Sequence, residues 1–255
     1  MIEDKIENSG LQQYFEKYKP QIENALREHL PLAPTNIETQ FNETLEYALF
    51  SGGKRLHPVL TLLAAELFGG KTEMFLPVAA AVEFIRTSFL ILNDLPCMKS
   101  ASPSAGKASL HEKFGEDAAI LVAVGLLNAS YGLVFVNHNG LPERAMQAHA
   151  EIVECVGGAG MIGGRSTDVS EKIYPEPEEN LKEAALMRLA LRIGAILAGA
   201  NYLELAQLSR FAELLGDANR ISGEDAKRIL VENFPSSDAR TCLIQLTDYL
   251  AAGKT

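Results

Sequence analysis

The sequence predicts an all-α protein, and three observations support this prediction. Apolar residues recur at three- and four-residue spacings over most of the chain, as expected for helices with one buried face. No stretch shows the alternation of a half-buried strand, and no strand–helix–strand rhythm appears. Two long segments are apolar on nearly every side, which is typical of helices at the centre of a protein. We therefore predict one domain over residues 1–255, with central apolar helices wrapped by amphipathic ones.

The N-terminal half contains a series of predicted helices. Residues 9–29 carry an apolar stripe on a charged background, and two prolines then end this amphipathic helix. The spacing of a capping box at 35–38 predicts the start of the next helix, which two glycines interrupt at 52–53. Pro58 suits the first turn of a following helix, and residues 74–92 form the first central apolar helix.

The C-terminal half continues the helical pattern. Residues 99–109 are small, polar and punctuated, which indicates an exposed loop. Residues 116–136 form the second apolar helix, and 141–157 and 178–199 are helical again. Shorter helices follow, one of them with Ser222 as its N-cap.

Composition excludes several classes of protein. Of the 255 residues 47% are hydrophobic and 22% are charged, which argues against a disordered chain or a fibre. A net charge of −10 without a basic cluster argues against nucleic-acid binding. Three cysteines lie far apart, and the N-terminus lacks the pattern of a signal peptide. The longest apolar run, 118–127, is too short to span a membrane, so we expect a cytoplasmic protein.

The segment GGKRLHP at 52–58 is the first candidate site. Two glycines before a helix, followed by Lys54 and Arg55, can hold a phosphate through close backbone N–H groups and positive charge. The alternative is a plain turn between helices with a solvated pair of cations. The segment alone favours that alternative, because the Walker spacing is absent.

Two carboxylates are weaker candidates. Asp94 ends the first central helix, where it can bind a hard cation or simply form a local hydrogen bond. Asp168 follows Arg165 by three residues, a spacing that also suits an ordinary intrahelical ion pair. The five histidines are scattered without the spacing of a metal site.

Taken in order, six segments resemble the trans-prenyl diphosphate synthases of the polyprenyl synthetase family, a group that includes geranylgeranyl and farnesyl diphosphate synthases. Residues 52–58 look like its GGKRLRP, and 83–99 look like its E-x-I-H-T-x-S-L-I-x-D-D-L-P-C-M-D. The other segments are 106–111 (GKPT-x-H in the family), 163–168 (GGQ-x-x-D), 181–183 and 193–200.

The resemblance implies an isoprenoid synthase-type helical bundle with a central cavity, in which isopentenyl diphosphate condenses with an allylic diphosphate. It implies Mg²⁺ as cofactor, held in the family between two Asp-rich motifs, with Asp94 and Asp168 as the candidate metal ligands of this chain and a catalytic contribution from Lys182. It places substrate contacts at Gly53, Lys54, Arg55, His57, Arg86, Lys99 and Arg165, with Phe89 at the floor of the pocket. Family members commonly dimerise through helices in the middle of the chain, which favours 116–136 as an interface.

The sequence departs from the family where the chemistry is done. The first Asp-rich motif reads Asn93-Asp94-x4-Lys99, and the second is not recognisable. His57 replaces an arginine, Arg86 replaces a histidine, and Arg165 replaces a glutamine. An ammonium group at Lys99 should repel Mg²⁺.

Three functional hypotheses follow. The leading one is a non-catalytic or severely impaired family member, either a partner subunit or a binder of an isoprenoid or other anionic amphiphile. It would bind a prenyl diphosphate or related anionic lipid, and would form a homodimer or a heterodimer with an active synthase. The second is an active short-chain (C10–C20) prenyltransferase, which alone would need Mg²⁺. The third is a metal-independent diphosphate binder or hydrolase.

Overall fold

The computed structural model describes residues 9–34, 36, 40–98, 109–137, 141–170, 181–216 and 223–252. Over these residues the chain forms twelve helices and no strand, as the sequence predicts. The helices are α1 Gly10–Glu28, α2 Phe41–Phe50, α3 Leu56–Leu67, α4 Thr72–Asp94, α5 Leu110–Phe114, α6 Glu116–Leu133, α7 Pro142–Val156, α8 Met161–Ser170, α9 Leu181–Ala198, α10 Tyr202–Gly216, α11 Gly223–Asn233 and α12 Asp238–Ala252.

Helix α4 is the central element, as its apolar sequence predicts. It packs against α3, α6, α9 and α1, and most of its residues from Phe75 to Ile91 are buried. Helices α3 and α9 also pack together closely, because Gly194 lacks a side chain. A Cβ atom at this position would lie 2.2 Å from the carbonyl oxygen of Thr61. These contacts hold α3, α4 and α9 around a common interior.

Helix α6 differs from the prediction of a central helix. It packs on α4 along one face, and its apolar window is only 28% buried within the protein, compared with 78% for that of α4. By length and composition both helices could cross a membrane, but α4 is the core helix of the protein. The apolar character of α6 therefore belongs largely to an exposed face.

A buried ion network fixes the position of α9. Glu151 on α7 is 5% exposed and accepts two hydrogen bonds of 2.8 Å from Arg192 on α9. Arg192 also donates to Ser209 on α10, at 2.8 Å. A buried carboxylate needs such partners because burial without them is costly.

Several predicted boundaries lie partly outside the described residues. They include the capping box at 35–38, the loop at 99–109 and the N-cap at Ser222. The Gly163-Gly164 pair lies inside α8, whereas Gly157 and Gly158 separate α7 from α8. The single domain over 1–255 stays a prediction.

Candidate functional site

The candidate site is a small cavity beside the C-terminal half of α4. Helix α4 lines it with Arg86, Phe89, Leu90 and Asn93, which share one face because they stand three and four residues apart. Leu90 lines the cavity and is 45% exposed, although it lies on the core helix. This face therefore combines a cation, an amide and two apolar side chains.

Three other helices close the cavity. His57 enters from α3, Met161 from the start of α8 and Leu186 from α9, and all three are nearly inaccessible to solvent. The cavity has a volume of about 150 Å³. Pockets for drug-sized ligands usually measure about 300–1,000 Å³, so the space that the described residues enclose here is smaller than that range.

The loop before α3 carries two neighbouring cations, of which Lys54 is exposed and Arg55 is buried. Gly52 and Gly53 have φ angles of 124° and 150°, and Arg55 itself is left-handed at 54°. Residues with side chains rarely adopt such angles, which explains the two glycines. Lys54 is exposed and donates a 2.8 Å hydrogen bond to the hydroxyl of Tyr249 on α12.

Arg55 turns inward and is 4% exposed. It donates to Glu23 at 2.7 and 3.2 Å, to Glu83 at 2.9 Å and to the carbonyl oxygen of Leu49 at 2.6 Å. Each of its three nitrogen atoms thus has an acceptor within the protein. The structure gives Arg55 a role in holding α1, α2 and α4 together, and its diphosphate contact stays a prediction.

Glu83 connects this network to the cavity. Its side chain is 1% exposed and lies between Arg55 and Arg86, whose Nη1 atom is 3.5 Å away. Burial raises the pKa of Glu83, whereas the positive charges of Arg86 and Arg55 oppose that shift. The side chain of Arg86 is 34% exposed, so it reaches from the buried carboxylate to the cavity.

His57 supplies a neutral polar group at the inner end. Burial lowers its pKa to about 3, and the nearby charge of Arg86 adds to this effect. Its Nε2 atom is buried without a hydrogen-bond partner among the described residues. The two positions at which the sequence exchanges arginine and histidine relative to the family thus line one cavity.

The Mg²⁺ site that the resemblance implies lies only partly within the described residues and stays a prediction. Magnesium requires oxygen ligands in near-octahedral geometry. Within the part of the chain that the structure describes, no group of three or more His, Cys, Asp or Glu could hold a metal ion. Asp94 is half-buried at the end of α4, where its neighbour Asn93 presents a buried Oδ1 atom without a described partner.

A cation reaches the same end of α4 from α8. Arg165 donates a 2.6 Å hydrogen bond to the carbonyl oxygen of Met98, four residues beyond Asp94. Three other predicted site residues cannot be placed: Lys99 and the side chains of Asp168 and Lys182 lie outside the described residues.

Sequence reasoning missed several side chains at or near the site. Met161 and Leu186 line the cavity, Glu23 binds Arg55 and Tyr249 binds Lys54. In the sequence, Met161 and Leu186 look like any other buried apolar residues, so no pattern marks them as cavity residues. The partners of the cations stand 32 and 195 positions away in sequence, beyond any local pattern.

Comparison with known proteins assigns the chain. A family model described as "Polyprenyl synthetase" matches residues 38–222. The chloroplastic geranylgeranyl pyrophosphate synthase of Catharanthus roseus is 37% identical over 185 residues, which cover 69% of this chain and 52% of that protein. The chain thus spans about half the length of this relative.

Solved structures show the same fold. An FPP/GFPP synthase from Zymomonas mobilis is 25% identical, with a TM-score of 0.76 and coverage of 95% of this chain and 91% of that one. A geranyl diphosphate synthase small subunit from Antirrhinum majus also has a TM-score of 0.76, at 20% identity over 93% of this chain and 98% of that one. The fold is therefore the all-α isoprenoid synthase fold, as predicted. The chain belongs to the polyprenyl synthetase family, which confirms the resemblance of its motifs.

Replacing Arg55 tests its structural role. We expect Arg55→Met to lower the free energy of unfolding by about 3–5 kcal/mol, because it leaves buried Glu83 without its closest cation. Arg228→Met is the matched control: its ion pair with Asp225 is exposed, and its loss should cost less than about 1 kcal/mol. Urea denaturation followed by circular dichroism measures both. Equal losses in the two variants would contradict the assigned role.

The buried imidazole predicts acid sensitivity. The pKa of His57 is about 3 in the folded protein, and an unfolded histidine has a pKa of about 6.5. Between these values the unfolded state binds the extra proton, so stability falls as the pH is lowered from about 6.5. By pH 5 the loss should reach about 2 kcal/mol, from about 1.4 kcal/mol per pH unit.

His57→Gln should remove this component. Unfolding free energies of the two proteins, measured from pH 7.5 to pH 5, should diverge in favour of the variant as the pH falls. Parallel curves would show that His57 is protonated equally easily in the folded and unfolded states.

Proposed function

We propose that this chain is a polyprenyl synthetase family member that no longer catalyses Mg²⁺-dependent condensation at an appreciable rate and that serves as a partner subunit. The observation that supports this proposal is the position of Arg165, whose guanidinium donates a 2.6 Å hydrogen bond to the carbonyl oxygen of Met98, four residues beyond the end of α4. In the family resemblance, metal-binding carboxylates occupy that end of the helix.

The electrostatics of this end of α4 support the proposal. Asn93 offers a neutral amide where the family has a carboxylate, and Arg165 brings a positive charge nearby. A cation in this region raises the energy of a bound Mg²⁺ ion through like-charge repulsion. Stabilising a diphosphate leaving group depends on metal charge held in fixed geometry, so its loss removes much of the rate enhancement.

An exposed apolar face supports the partner-subunit role. On α6, Leu121 and Val124 are 62% and 56% exposed, and on α7 Met146 and Val153 are 67% and 50% exposed. An aromatic contact of 5.6 Å between the ring centroids of Tyr131 and His149 connects the two helices. Exposed apolar side chains on two helices that touch in this way favour an interaction site.

We propose that this face, called here the α6–α7 face, packs against the α6–α7 face of a second chain of the same family. The solved Antirrhinum majus protein is itself described as a small subunit, although a likeness at 20% identity concerns only the fold.

The second candidate is an active short-chain prenyltransferase. The relative from Catharanthus roseus is described as a synthase, and Lys54 retains the position of a predicted diphosphate ligand. In this case Mg²⁺ would be required and Asp94 would be among its ligands. A turnover assay separates the two candidates.

The chain alone should form no prenyl diphosphate product. The assay supplies dimethylallyl or geranyl diphosphate, isopentenyl diphosphate and Mg²⁺, with an active family synthase as the positive control. Removing a transition-state stabilising group commonly costs about 10²–10³ in rate, so loss of a metal site should bring turnover to background. Turnover that needs Mg²⁺ and disappears in Asp94→Asn would establish the active prenyltransferase instead.

The α6–α7 face should control the oligomeric state. Light scattering after gel filtration should give about twice the 27.7 kDa chain mass for the wild type, or a heterodimer when an active synthase is coexpressed. The double variant Leu121→Lys and Val124→Lys should be monomeric, because it places charge in the buried interface. Leu203→Lys, on α10 and 72% exposed, is the matched control and should leave the assembly unchanged. The proposal would be contradicted if the wild-type chain were monomeric and also failed to bind a coexpressed synthase. Binding of the α6–α7 face to lipid vesicles would contradict it as well.

A further inference from the structure

The α6–α7 face has an acidic rim formed by Glu116, Asp117 and Glu143. Glu116 and Asp117 lie in the first turn of α6, Glu143 lies in the first turn of α7, and all three side chains are exposed. We infer that this rim directs the face to a family partner whose matching surface carries lysine and arginine, in preference to a second copy of this chain. The inference rests on the proposed use of the face as a subunit interface, and it specifies the partner that the face selects.

The rim residues lie in line with the apolar side chains of the face. On α6, Asp117 stands three and four residues before the exposed Ile120 and Leu121. On α7, Glu143 stands three residues before the exposed Met146. Residues that are three and four positions apart share one side of a helix. These carboxylates therefore border the apolar surface that a partner would cover.

The two helices of the face hold little positive charge of their own. Helix α6 contains no lysine or arginine, and α7 contains Arg144 alone. Arg144 is half-buried, and its guanidinium donates to the carbonyl oxygen of Leu197 at the end of α9, 3.3 Å away. Within the described residues, Glu116, Asp117 and Glu143 form no ion pair. The rim is therefore not neutralised from within the face.

Cations on the neighbouring helices contact other groups. Lys113 on α5 lies over the rings of Tyr47 and Phe114, 4.0 and 4.8 Å from their centroids. Arg188 on α9 binds the two remaining carboxylates of α7, Glu151 at 3.1 Å and Glu154 at 2.6 Å. The negative charge of the rim is therefore left for a partner to balance.

A second copy of the chain is the poorer partner because its rim has the same charge. A two-fold interface brings the same patch of both chains together, so six rim carboxylates, three from each chain, would border it. Such charges interact over the Debye length, which is about 10 Å at 0.1 M salt. Like charges across an interface disfavour a partner, whereas lysine and arginine at those positions attract it. The apolar residues still bind a second copy, but more weakly.

Salt dependence tests the inference on the unaltered protein. Analytical ultracentrifugation of the full chain at pH 8, where histidine side chains are ordinarily uncharged, gives the dissociation constant of the homodimer. Raising the NaCl concentration from about 0.05 M to about 0.5 M should lower this constant at least threefold, because salt screens the repulsion between the two rims. Self-association that salt leaves unchanged or weakens would overturn the inference.

Neutralising the rim separates its effect from other effects of salt. The triple variant Glu116→Gln, Asp117→Asn and Glu143→Gln should self-associate about tenfold more tightly than the wild type at about 0.05 M NaCl, and should lose most of the salt effect. The matched control removes the same charge from three exposed carboxylates of α10, α11 and α12: Glu213→Gln, Glu232→Gln and Asp238→Asn. The control should behave like the wild type, and equal changes in the two triple variants would refute a role of the rim.

A copy of the chain with a basic rim serves as the probe partner. It carries Glu116→Lys, Asp117→Lys and Glu143→Lys, and it is mixed with the wild type at about 0.05 M NaCl. The mixed dimer should have a dissociation constant at least tenfold lower than that of either homodimer, and salt should weaken it. A mixed dimer no tighter than the wild-type homodimer would overturn the inference. If lysine in the first turn of a helix prevents folding, the salt series and the neutral-rim variant still decide.

The inference and the proposed function fail in different ways. Absence of any dimer, or a dimer that Leu121→Lys and Val124→Lys leave intact, would refute the α6–α7 face as the interface. A dimer that this double variant abolishes but that responds neither to salt nor to the rim variants would refute only the selection of a basic partner.

Discussion

The arrangement around the site depends on a single buried carboxylate. Glu83 lies on the central helix α4 with 1% of its side chain exposed, and a charge in that position must be compensated. Arg55 provides the closer guanidinium, at 2.9 Å, and the loop before α3 takes the shape that delivers it. The left-handed backbone at Arg55 and the two glycines before it follow from this requirement. The same carboxylate draws Arg86 back along α4 and so fixes the cation that the cavity contains.

This arrangement separates two neighbouring cations that look equivalent in sequence. Lys54 is exposed and contacts Tyr249, whereas Arg55 donates its hydrogen bonds to acceptors inside the protein, among them Glu23 and Glu83. A family motif can therefore be kept for the sake of the fold as well as for a ligand. The retained lysine and arginine pair does not by itself argue for retained catalysis.

Sequence reasoning predicted the elements better than their surroundings. The bounds of α4 came within two residues at each end, because its apolar run is long and a polar turn follows it. The composition of α6 alone predicted a central helix, and only the family resemblance favoured it as an interface, because apolar residues on a helix do not reveal whether the same chain or another chain covers them. The inward direction of Arg55 depends on Glu23 and Glu83, which only the fold brings near. The positions of His57 and Arg86 as site residues came from the family resemblance, but their meeting in one small cavity required the structure.

In the family resemblance an arginine stands at position 57 and a histidine at position 86, whereas this chain has His57 and Arg86. The difference changes how much buried charge must be balanced beside the cavity. Position 57 is 6% exposed, so an arginine there is desolvated and depends on a bound anion to offset that cost. The neutral imidazole of His57 carries no such charge, and Arg86, with 34% of its side chain exposed and Glu83 beside it, stays partly solvated. A neutral group at position 57 therefore leaves this part of the interior without a buried charge that a bound anion would have to balance.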